Sequence, residues 1–168
     1  HVFNKAIDGK PIFDSEEDCS RFVFQMYSAN VGSPAPNLHR LDMQEAARKI
    51  LKGEKPAEKY FANSHEPLVE FFSFVLAQDH YEFGLVPVTR NGIQFYMQKL
   101  NLAFAKYFNK KNQRQGPLFE TRFRASAITT PSQLNALVKS LNIQKVIEIS
   151  ERPKTYPYSS FLDLFSKR

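Results

Sequence analysis

Two hydrophobic periods run along this chain, and the switches between them predict its elements. Apolar and polar positions alternate over residues 1–7 (HVFNKAI), the pattern of a half-buried strand, and DGKP follows as a turn. From Asp14 or Ser15, a helix cap, the period lengthens. Glu16, Glu17 and Asp18 fill a first turn where the helix dipole favours negative charge, and Phe22, Met26 and Ala29 supply an apolar stripe. GSPAPN ends that helix. Residues 68–76 (LVEFFSFVL) are almost continuously apolar and predict a central strand. Residues 80–88 (HYEFGLVPV) alternate again. Tyr81, Phe83 and Leu85 share one face, while His80, Glu82, Gly84 and Val86 share the other. The short AQD link makes these two strands a hairpin.

The longest helical pattern covers residues 91–111, with Ile93, Met97, Leu100, Phe104 and Phe108 as its core stripe. After the loop NQRQG, residues 117–128 (PLFETRFRASAI) predict a strand. Thr130 then caps a last helix, with Pro131 at its first position and its end near Gln144 or Ile149. The order predicts an α+β domain, a ferredoxin-like antiparallel sheet with packed helices. Residues 1–168 are expected to form a single domain, interrupted at about residues 34–67 by an insertion that carries a short amphipathic helix closed by Gly53.

Composition changes this picture in three places. The single cysteine, Cys19, excludes an internal disulfide and points to a reducing, cytoplasmic setting. No run of about 18 apolar residues exists, so no membrane partner is expected. The formal net charge is +6, and its distribution is uneven. Between Arg90 and Arg124 lie Lys99, Lys106, Lys110, Lys111, Arg114 and Arg122, with Glu120 as the one acid. Basic groups interleaved with aromatics suit phosphates, although a solvated helix face followed by a basic loop has the same composition. The chain opens on His1 rather than Met, so it is expected to start inside a longer chain or after a trimmed end, and a larger chain or complex is the expected setting.

Four stretches, in order, carry a resemblance: HVFNKAIDGKPIF, FFSFVLAQDHYEFGLV, FYMQKLNLAFAKYFNKKNQRQGPLFETRFRA and ERPKTYPYSSF. Together they resemble the single-tyrosine HUH transposases, in the branch associated with repetitive extragenic palindromes. The resemblance implies a ferredoxin-like domain that binds single-stranded DNA beside a hairpin and cuts it through a tyrosine on its last core helix. It also implies a divalent metal, Mg²⁺ or Mn²⁺, held by two histidines and a polar residue of that helix.

Aligned this way, His80 matches the first metal histidine and Glu82 stands at the second; a carboxylate is a harder ligand that suits these ions. Gln144 stands at the third ligand. Ser140 stands at the nucleophilic tyrosine, and no tyrosine lies between Tyr107 and Tyr156. A serine hydroxyl is shorter than a phenol and a much weaker acid. Lys106, Lys110, Lys111, Arg114, Arg122 and Arg124 are the expected phosphate contacts.

The resulting expectation is a nucleoid-associated prokaryotic domain that binds hairpin or single-stranded DNA, with RNA as the alternative strand, and whose covalent cleavage is impaired. Two other readings stay open. One is an active, metal-dependent nicking enzyme with an unusual centre. The other is a protein-binding module that uses residues 38–67.

Overall fold

A computed structural model of the protein describes residues 1–152 and 155–161. Pro153 and Lys154 of the closing segment, and the last seven positions of the expected domain, lie outside the described residues. The elements follow in the order β1 (Val2–Lys5), α1 (Glu16–Val31), β2 (Ser33–Pro34), α2 (Arg40–Leu51), β3 (Phe61–Ala62), β4 (Val69–Leu76), β5 (His80–Pro87), α3 (Gly92–Lys111), β6 (Arg124–Ala125), α4 (Pro131–Lys139), a π-turn (Ser140–Gln144) and α5 (Lys145–Ile149). The main sheet runs β4-β5-β1-β6, and β1 is antiparallel to both of its neighbours. This is the ferredoxin-like α+β class that the hydrophobic pattern predicts.

The chain divides into two compact units. The first comprises His1–Phe13, Phe71–Val86 and residues 119 onward. Here β1 shows why the sheet has two different faces. Val2 and Asn4 are buried, while Phe3 and Lys5 are half-exposed. On the β4 side, Val75 packs with Leu137, Leu141 and Val146 of the C-terminal helices, joined by Phe72, Ile128 and Tyr156. Gly84 is required by this packing. A Cβ there would lie 2.3 Å from the Phe72 ring. The outer edge of β4 is closed by the closing segment, through a bridge between Val75 and Ser159.

The expected strand over residues 117–128 shortens to β6 because the segment bulges as it passes β1. Ala6 pairs with Phe119 and Phe3 with Arg124, so three steps along β1 meet five along its partner. The side-chain amide of the buried Asn4 donates to the Arg122 carbonyl at 2.9 Å, which satisfies a backbone group the bulge has freed.

The second unit comprises Asp14–Glu70 and Pro87–Leu118. Ser15 caps α1 by accepting from the Asp18 N–H. Phe22 meets Phe104 of α3 edge-on, with ring centroids 4.8 Å apart. Ala46 and Ala47 of α2 are buried, as is Tyr60.

Candidate functional site

The side chains with chemistry in the first unit gather around Glu82 of β5. Alternation puts His80 and Glu82 on one sheet face, and the carboxylate there is buried. Each of its oxygens has a donor. His1 Nε2 lies 2.8 Å from Oε2, and the ammonium of Lys145 lies 3.3 Å from Oε1. Burial works to raise the pKa of this carboxyl. The His1 hydrogen bond and the Lys145 charge outweigh it and hold the group below its ordinary value.

His80 is fixed from its other side. Its Nδ1 lies 2.6 Å from the Asp79 carboxylate, and a carboxylate only accepts, so Nδ1 donates. Asp79 also lies 3.5 Å from Lys5. Burial alone would raise its pKa, but the His80 bond and the His80 and Lys5 charges bring it down. His80 Nε2 is then the remaining ring nitrogen. It is buried, has no hydrogen-bond partner among the described residues, and sits 3.7 Å from Glu82 Oε1.

The helix that faces this pair is interrupted. The π-turn closes with the Lys145 N–H donating to the Ser140 carbonyl. A π-turn takes up one extra residue, so later side chains lie about 100° further round than in an unbroken α-helix. Lys145 therefore reaches Glu82, while the side chain of Gln144 is exposed and makes no hydrogen bond among the described residues. Ser140 is half-buried at the start of the turn, and its hydroxyl likewise makes none.

Asn142, fully buried, fastens the turn. Its amide donates to Val138 O at 2.9 Å and to Ser73 Oγ at 2.8 Å, and its carbonyl accepts from Ser160 Oγ at 2.6 Å.

These residues do not fit a Mg²⁺ or Mn²⁺ site as they stand. The Lys145 ammonium, 3.3 Å from the Glu82 oxygen that His80 Nε2 approaches at 3.7 Å, already supplies there the positive charge that an ion would bring. Among the described residues no group of three His, Cys, Asp or Glu side chains is arranged to hold a metal ion.

The basic residues divide between the units. In the second, Lys106 and Lys110 lie one turn apart on the exposed face of α3 and make no ion pair among the described residues. Lys111 is held by Asp18 at 2.7 Å. Arg114 ties its own loop, donating to Asn109 Oδ1 at 2.7 Å and to Pro117 O at 3.1 Å. In the first unit Arg122 and Arg124 are exposed, and Arg124 lies 3.9 Å from Glu120.

His1, Asp79 and Lys145 are the site residues that sequence reasoning missed. Asp79 borders the histidine in sequence and was open to notice. Nothing in the spacing marks Lys145, because its placement depends on the π-turn.

The fold and this centre define a ferredoxin-like α+β domain whose buried carboxylate is neutralised by the protein's own side chains. Compared with known protein families, characterised proteins and solved structures, the chain matches none. Among the described residues no helix is long and apolar enough to cross a membrane.

Proposed function

We propose that this chain is a nucleic-acid-binding domain of the single-tyrosine HUH transposase kind, which recognises a DNA hairpin with a single-stranded flank and no longer cuts it. The observation that carries the reading is a contrast in charge. Glu82 is neutralised internally by Lys145 and hydrogen-bonded by His1, whereas Lys106 and Lys110 face solvent and make no ion pair among the described residues. Exposed, uncompensated cations bind phosphates by releasing counterions. A carboxylate held by an ammonium is a poor ligand, and Ser140 offers no acidic hydroxyl for attack on a phosphate. Such a domain belongs in the cytoplasm, associated with the nucleoid, as an accessory to longer chains or complexes.

The test is a titration of a labelled, flanked hairpin followed by fluorescence anisotropy at several salt concentrations. Binding is expected to weaken steeply as salt rises. Absence of binding at low salt, for the DNA hairpin and for its RNA counterpart alike, overturns the reading.

His80 Nε2, buried and without a hydrogen-bond partner among the described residues, favours a second reading, an active divalent-metal-dependent nicking enzyme with an unusual centre. That reading requires Lys145 to leave Glu82.

A further inference from the structure

The half-exposed face of β1 brings together one aromatic ring and a set of cationic and imidazole groups. Phe3 is paired across the sheet with Glu82 on one side and Arg124 on the other. Directly paired residues project from the same face. Lys5, two residues along, is paired with His80 on that face, and the Phe3 ring lies 5.4 Å from the His80 ring. His1 and Lys145 reach the same face through Glu82. Cover falls away across the sheet. Glu82 is buried, Phe3 is half-exposed, and the Arg124 side chain is 69% exposed.

Phe3 is an odd residue for this place. The core face of β1 is the other one, where even Asn4 is buried. The paired and ring neighbours of Phe3 on the open face are all polar: Glu82, Arg124 and His80. Single exposed apolar residues are ordinary on a protein surface. A flat ring flanked by two cations, Lys5 and Arg124, on the open part of a sheet is the arrangement that stacks an unpaired base and holds its phosphates. The ion pairs that now occupy the two flanking cations are long, 3.5 Å for Lys5 with Asp79 and 3.9 Å for Arg124 with Glu120. Partly exposed pairs of this kind are worth little and exchange readily for a phosphate.

We propose that Phe3 is the stacking platform for an unpaired base of the single-stranded DNA flank, with Lys5 and Arg124 as the contacts to the adjoining phosphates. This rests on the nucleic-acid reading above and names the part of the strand that the sheet takes. Glu82, held in place by Lys145 and His1, keeps the floor beneath the base neutral.

The experiment uses 2-aminopurine placed in turn at each flank position of a DNA hairpin, together with a hairpin that lacks the flank. Binding is expected to quench or stack the probe at one position. Phe3→Leu keeps most of the apolar volume but removes the ring; it is expected to bind the flanked hairpin about five- to a hundredfold more weakly. Phe3→Tyr is expected to restore binding, and the flankless hairpin should not distinguish the variants. The probe signal needs no variant, so a Phe3 substitution that harms folding does not remove the test. A flanked hairpin that binds without any probe change, or that Phe3→Leu binds as the unaltered protein does, overturns this inference alone. Tighter binding of a ribonucleotide flank overturns its assignment to DNA. Failure of the unaltered protein to bind either hairpin overturns the reading it rests on as well.

Discussion

The ammonium of Lys145 stands 3.3 Å from Glu82 Oε1, on the face of β5 that also carries His80. This relationship organises the centre. A buried carboxylate needs a compensating charge. Here the charge comes from the C-terminal helix itself, placed there by a π-turn of five residues. His1 completes the arrangement on the other carboxylate oxygen.

The pairing gives Glu82 a pH signature. Its carboxyl is held below the ordinary 4.5, so its contribution to stability is present above that value. That contribution is lost as pH falls through the depressed value, where the folded carboxyl takes up its proton. Glu82→Gln is therefore expected to lower the urea midpoint at pH 7, by about 2 kcal/mol in unfolding free energy, and to flatten the fall in stability below pH 4.5. A variant whose stability keeps the full acid dependence of the unaltered protein would show that Glu82 is not the group responsible.

Asn142 is expected to be worth more than its size suggests. Replacing it with alanine removes three hydrogen bonds, to Ser73 Oγ, Ser160 Oγ and the Val138 carbonyl, although the two serines still bond each other at 3.1 Å. A buried hydrogen bond contributes about 1 kcal/mol, so Asn142→Ala should destabilise by about 2–3 kcal/mol in urea unfolding. A loss below about 0.5 kcal/mol would mean that the network does not hold the turn.

Cys19 is buried in α1, and burial first, with the charge of Asp18 second, pushes its thiol up to about 12. The thiolate is the reactive form. Aromatic disulfide reagents at pH 8 should therefore leave the folded protein untouched and react at once in denaturant. Fast labelling of the folded chain would place Cys19 outside the core.

Some of this was legible in the sequence because it depends on local period. The alternation of Tyr81, Phe83 and Leu85 marks a core face, and all three are buried. The Phe104 and Phe108 stripe of α3 and the Ser15 and Thr130 caps were equally readable, since each is set within one helical turn. Features that depend on distant partners were not. The bulge opposite β1 leaves a carbonyl that Asn4 satisfies by reaching Arg122, far along the chain. The packing of α2 rests on Ala46 and Ala47, residues too small to write an apolar stripe. At the site, the two-residue spacing of His80 and Glu82 was plain. The identity of their helical partner was not, because an α-helical count arrives at Gln144, one residue short of Lys145.

The claim of binding without cutting is tested most directly by one preparation of flanked hairpin DNA with Mn²⁺, run on native and denaturing gels side by side. A native shift with full-length DNA in the denaturing lane is the predicted result, and Lys106→Ala with Lys110→Ala should weaken that shift and lower its salt dependence by about two in log–log slope. Shortened DNA, or a band of DNA linked to protein, would contradict the claim and show that the centre around Glu82 still performs strand cleavage.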